Sequence, residues 1–194
     1  MKLVRVSRVA TLFAAILLIP ALAMGAEKTG SKKKETYNQD EMLKEAEAFL
    51  GKGAKGLADV IAKAFKEQGE PNAYITGDEG SGAIGVGVRY GKGTLHMHGG
   101  TTRDVYWQGP SIGFDLGGNA AKVFVLIYKL DDQAKLFQRF PGVEGSLYFV
   151  GGVGLNYARS GDITVAPVRL GVGWRQGANV GYVHFTETKS WNPF

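Results

Sequence analysis

From Pro71 to the end of the chain, apolar side chains recur at every second residue, and glycine keeps thinning the pattern. Ile84, Val86, Val88 and Tyr90 share one face of an extended chain; Ala83, Gly85, Gly87 and Arg89 share the other. The same device returns as Val168, Leu170, Val172 and Trp174 against Pro167, Arg169, Gly171 and Gly173. Of the 29 glycines, 23 follow Pro71, so their placement decides the fold class. Glycine inside a strand costs stability, and its repeated use there marks bulges, curvature or the close approach of another backbone. A small sheet closing on itself needs that curvature.

Nine strands are expected, at Asn72–Gly77, Ala83–Tyr90, Gly93–His98, Arg103–Gln108, Ser111–Leu116, Lys122–Leu130, Gly145–Tyr157, Asp162–Trp174 and Asn179–Thr188. "YGKG", "HGG", "QGP" and "RSGD" read as the turns between them. One short helix is expected in "LDDQAKLFQRF", capped by Asp131 and ended by Pro141-Gly142. Parallel α/β architecture needs a crossover helix between strands, and there is at most one. The fold class is therefore mainly β: a small antiparallel, glycine-rich β-barrel over residues 71–194, with that one short helix inserted.

Three segments precede it. Residues 1–23 read as a secretory signal, with Lys2, Arg5 and Arg8 before the apolar run "ATLFAAILLIPALA" and small residues at the cleavage position. Residues 24–38 are polar and aperiodic, a flexible linker. Residues 39–70 are helical by period, with apolar stripes at Leu43, Ala46, Phe49, Leu50 and at Leu57, Val60, Ile61, Ala64, Phe65. Gly51-Lys52-Gly53 interrupts them, and Asn38 or Asp40 caps the first piece. Such a charge-balanced amphipathic segment is expected to dock on its own domain. No later apolar run is long enough for a membrane-spanning helix. The mature protein is expected to be exported, and the absence of cysteine leaves cohesion to the core.

Removing the signal's three basic residues leaves 20 basic against 18 acidic side chains. That balance does not make a nucleic-acid footprint, and no nucleic-acid partner is expected. "GDEGSGAIGVGVRYGKGT" contains a formal G-x-G-x-x-G, yet an alternating strand follows Gly85 where a phosphate site needs a helix N-terminus. The P-loop spacing fails as well, since Gly93 stands where Ser or Thr would bind magnesium. No cofactor is expected.

His96 and His98 share one face of a strand at a spacing seen in metal sites. Nothing in the sequence places His184, Asp104 or Asp115 as a third ligand, and an exposed pair on a solvent-facing strand is the simpler expectation. There is no G-x-S-x-G elbow; Asp78-Glu79 adjoins glycines in an expected turn, and Asp131-Asp132 opens a helix. Catalysis is not expected. The aromatic residues Tyr106, Trp107, Phe114 and Trp174 are candidates for lining a ligand pocket. A barrel of about eight strands, however, is just wide enough for its own side chains to fill it. "WQGP" at Trp107–Pro110 is the segment expected to border a mouth, as an aromatic beside a tight turn.

The stretches "NAYITGDEGSGAIGVGVRYGKGTLH", "YWQGPSIGFDLGGNAAKVFVLIYKLDD", "FPGVEGSLYFVGGVG", "APVRLGVGWRQGANVGY" and the terminal "WNPF" closely resemble the envelope integrity protein A family. The resemblance runs from about Tyr37 to Phe194. It implies a small soluble periplasmic β-barrel with an apolar interior, a role in envelope integrity and stress tolerance, and no established catalytic residue. Over Lys55–Phe140 the arrangement also looks distantly like a SYLF domain, which suggests lipid as a ligand class. The expected partners are an envelope lipid, a lipid-linked glycan or an envelope protein. The other readings are a scaffold with a filled barrel, a metal-binding or enzymatic protein using His96 and His98, and a small outer-membrane barrel. Asn192 and Pro193, which break the last strand, count against the outer-membrane reading.

Overall fold

The computed structural model describes residues 36–115, 121–170, 181–190 and 192, with backbone alone for 81–86 and 111–115. The expected signal and most of the linker lie outside the described residues. Two helices come first: α1 (Gln39–Leu50) and α2 (Leu57–Gln68). Asn38, rather than Asp40, caps α1, in a reciprocal box where Glu41 N donates to Asn38 Oδ1 at 3.0 Å and Asn38 N donates to Glu41 Oε2 at 2.8 Å. Gly51, Gly53 and Gly56 all take positive φ, which is why the segment breaks there into two helices.

The remainder is one antiparallel sheet: β1 (Ala73–Met97), β2 (Thr102–Asp115), β3 (Ala121–Tyr128), β4 (Arg139–Pro141), β5 (Tyr148–Val150), β6 (Val153–Leu155), β7 (Ala158–Ser160), β8 (Ile163–Leu170) and β9 (Tyr182–Thr186). Three of the expected strands fall in β1, and two fuse into β2. "YGKG" and "QGP" are therefore not turns. By contrast, the expected strand Gly145–Tyr157 is divided into β5 and β6 by Gly151-Gly152, both at positive φ. The inserted helix is a single 3₁₀ turn, Gln133–Leu136, capped by Asp132 through Ala134 N at 2.9 Å and not by Asp131.

β1 curves until its two ends are neighbours: His98 N donates to Asn72 O at 3.1 Å, His96 stacks on Tyr74, and Gly93 lies against Gly77. Its first part pairs with β3, and from Ala83 to His96 it forms one unbroken antiparallel ladder with β2, joined by the turn at His98–Thr101. The sheet then runs β4-β9-β2-β1-β3-β8, with β7 and β6 both on the outer edge of β8. At one end the two edges meet through a Gly142–Ala158 bridge and Val143 N donating to Tyr157 O at 2.9 Å. The result is a half-closed barrel, sealed at the β4–β7 end, with β5 and β6 extending the edge at the other.

This curl gives the sheet two buried faces. The inner face gathers Ile75, Leu95, Val105, Trp107, Val125, Ile127, Leu136, Phe140, Val165 and Phe185 into one packed cluster. The outer face packs Phe124, Leu126, Tyr128, Leu155 and Val168 against Met42, Ala46, Leu57, Val60, Ile61 and Ala64 of the helices. Consequently β3 is buried at six successive positions and reads as a continuous apolar run, as strands covered on both faces do.

The glycines make room for a ring. A Cβ at Gly91 would collide with the Trp107 indole, and one at Gly77 would stand 2.7 Å from Trp107 Cη2. The indole thus lies against two separate stretches of β1, on ground that Gly77 and Gly91 leave bare. Gly91→Ala is expected to destabilise the protein by about 3 kcal/mol in urea unfolding, the upper end of ordinary overpacking, because backbone and ring have no room to give. Gly80→Ala, with nothing within 4 Å of the added methyl, is expected to stay within about 0.5 kcal/mol of the unaltered protein.

Candidate functional site

Above the packed end of the interior sits a charged layer. The strands' two-residue period sends Glu79 and Arg89 from β1, Trp107 from β2 and Arg169 from β8 to the same inner face. Glu79 is 9 % exposed and Arg89 8 %. The Glu79 carboxylate accepts from Trp107 Nε1 at 2.8 Å, and from Arg169 Nε and Nη2 at 3.0 and 3.1 Å. Arg89 Nη1 lies 3.9 Å away, and the Nε and Nη2 of Arg89 donate to Pro110 O at 3.1 and 2.9 Å. The last member is Asn156, whose Oδ1 accepts from Arg169 Nη1 at 3.1 Å.

Burial by itself pushes the Glu79 carboxyl upward; the two guanidinium charges and the hydrogen bonds from Arg169 and Trp107 outweigh it and hold the group down at about 2. Arg89 moves from its usual range to about 10, through burial first, with Glu79 opposing the shift. Glu79 is thus ionised, and its oxygens already accept three N–H bonds. Such a carboxylate orders its neighbours and is badly placed to take a substrate's proton.

Of the pocket candidates, Trp107 enters the interior but borders no mouth: Gly109 and Pro110 stay in β2, and the ring is 3 % exposed. Tyr106 falls on the opposite face, half-buried, and pairs with Lys92 and Thr186. Phe114 pairs with Ile84 through its backbone, while its side chain and all of Trp174 lie outside the described residues. His96 and His98 are not an exposed pair. His96 stacks on Tyr74 with ring centroids 4.6 Å apart and has Nε2 3.2 Å from Thr76 Oγ1; His98 packs edge-on against Tyr37 at 4.7 Å. Burial lowers the pKa of His96 against the opposing charge of Glu45. Among the described residues no three His, Asp or Glu side chains are grouped to hold a metal ion.

Sequence reasoning missed Glu79, Asn156 and the pairing of the arginines. Its one signal was the position of Arg89 and Arg169 as lone charges on strand faces otherwise made of alanine, glycine and proline. Glu79, expected in a turn because it adjoins Gly80, lies within β1 opposite Ala121 and accepts from Trp107 Nε1.

The comparisons agree with this architecture. The family model described as Envelope integrity protein A matches residues 35–194. A crystal structure of a beta-barrel-like, uncharacterized protein from Brucella abortus is similar at a TM-score of 0.76 and 43% identity, covering 82% of this chain and 99% of that one. No curated protein matches the chain.

The folded pKa of Glu79 lies below its unfolded value of about 4.3, so the stability it confers is complete above that value and is lost as pH falls toward 2. Glu79→Gln leaves buried guanidinium charge facing a neutral amide and is expected to cost about 3–5 kcal/mol at pH 7. Urea titrations from pH 7 to pH 2 should show a falling stability for the unaltered protein and a flatter profile for the variant in the acid part of that range.

Proposed function

The chain belongs to the envelope integrity protein A family, and from that premise we propose that it is a non-catalytic periplasmic protein that supports the envelope by binding one of its components. A lipid or a lipid-linked glycan is the preferred component, and an envelope protein is the alternative. Membership in the family supports the envelope role. No helix among the described residues is long and apolar enough to cross a membrane, and the N-terminal sequence has the pattern of a secretory signal.

The observation that carries the binding reading is the charged inner layer over a filled floor. One end of the interior is packed with apolar side chains, whereas the next level holds a carboxylate that accepts three N–H bonds, Arg169 oriented by it, and Arg89 held by Pro110 O. Oriented cations on a rigid sheet suit recognition, because a guanidinium whose rotamer is already fixed loses little entropy on binding. Nothing among the described residues sets a nucleophile against a free base, so the same layer supports holding a ligand over transforming one.

Osmotic shock of cells expressing the full chain is expected to release the processed protein without detergent. Native mass spectrometry of that material should show a bound envelope lipid or glycan as a mass increment that survives mild activation. Recovery only with detergent would favour the outer-membrane alternative, and bare protein under mild conditions would leave the scaffold reading in its place.

A further inference from the structure

Hydrogen-bond donors outnumber acceptors at one corner of the inner layer. A guanidinium carries five N–H groups. Arg169 places two of them on Glu79 and one on Asn156 Oδ1, and no described residue takes the remaining two. Asn156 is 6 % exposed, and its Nδ2 meets no acceptor among the described residues. Because Oδ1 of the same amide is 3.1 Å from Arg169 Nη1, the unused donors of both side chains are neighbours. A buried donor without a partner is costly, so a site of this kind favours a ligand that brings oxygen acceptors.

The backbone explains why Asn156 is available. β6 and β7 follow one register along β8, with Leu155 opposite Val168 and Ala158 opposite Val165, which puts Asn156 opposite Pro167. Proline has no N–H, and the ladder lapses there. Two residues on, Gly154 pairs with Arg169 on one side and with Phe149 on the other. The row is Phe149, Gly154, Arg169, with Gly154 itself buried between ring and guanidinium. Phe149 is exposed, as are Leu147 and Val143 of the adjoining loop. Ser146 in that loop is tied to the same place, its Oγ accepting from Tyr157 N at 3.1 Å.

We propose that Asn156 and Arg169 form an oxyanion subsite for a phosphate group, with the apolar part of an amphiphile lying against the exposed Phe149 and Leu147. This rests on the binding reading and gives it a ligand chemistry: a phosphate, carried either by a lipid or free in solution. Arg169 is already half-neutralised by Glu79, so it orients the anion more than it attracts it, and Asn156 adds the donors that close the site.

The test is isothermal titration of the mature full chain with two probes, inorganic phosphate and dihexanoyl phosphatidic acid below its micelle concentration. The lipid is expected to bind at least tenfold more tightly than phosphate. Asn156→Leu should weaken both probes at least tenfold. Asn156→Asp keeps the acceptor for Arg169, removes the donors and should do the same, which covers the case of a misfolded leucine variant. Phe149→Ser should weaken the lipid at least fivefold and leave phosphate unchanged. No saturable heat from either probe, or unchanged binding in Asn156→Asp, overturns the subsite. Equal affinity for the two probes with no effect of Phe149→Ser overturns its apolar half and identifies free phosphate as the source. A lipid retained by Asn156→Asp in native mass spectrometry overturns the subsite while sparing the envelope-binding reading. Saturable phosphate binding by a protein that never carries an envelope component does the reverse.

Discussion

The Trp107 indole on its bare glycine floor is the contact around which the interior is arranged. The ring reaches two separate stretches of β1 because Gly77 and Gly91 present only backbone to it. Its lower side meets the apolar cluster through Phe185, with ring centroids 6.1 Å apart, and its Nε1 reaches up to Glu79. One residue therefore caps the oily part of the barrel and supplies the first donor of the charged part. An indole is suited to that border, being a large apolar body with a single polar edge. Burying Glu79 directly above it is costly unless the charge is matched, and Arg169 meets it bidentately at 3.0 and 3.1 Å. The ion pair is thereby fixed in position, and the arginine that it orients faces Asn156.

The helices settle a different problem. A sheet this strongly curled has a convex face, and here that face is apolar along β3 and β8. α1 and α2 cover it with Met42, Ala46, Leu57, Val60, Ile61 and Ala64. The edge contacts are finished with polar links: Tyr157 Oη donates to Glu67 Oε2 at 2.7 Å, and Lys122 Nζ donates to Phe49 O at 2.9 Å. The histidine pair belongs to this outer construction. His96 and His98 are seated beneath Tyr74 and Tyr37 at the start of α1, where their rings serve as packing surface. The two faces thus divide the work, the outer one anchoring the helical segment and the inner one separating a packed floor from a charged layer. Both depend on the twist and bending that glycine permits along β1 and β2.

Much of this was legible from local pattern. Helix period, the capping residue, the glycine break at 51–53 and the two-residue rhythm after Pro71 are each decided within a few residues, by backbone sterics and by which side chains share a face. The misreadings share one cause. A glycine beside a polar residue looks the same whether it forms a turn or vacates space for a ring sixteen positions away, as Gly91 does for Trp107. Hence "YGKG" and "QGP" read locally as turns, Glu79 as a loop residue, and Trp107 as the rim of an opening.

The sequence by itself determined the class of structure and its order along the chain: a broken amphipathic helix, then a glycine-thinned antiparallel sheet that curls. Those features follow from backbone preference and hydrophobic periodicity, which act over short separations. Only the tertiary structure decided which face of the sheet turned inward, that Glu79, Arg169 and Trp107 meet there, and that Asn156 stands beside them where Pro167 interrupts the ladder. Those choices come from the register between strands distant in sequence, and register is fixed by the packing of the whole barrel rather than by any stretch of it.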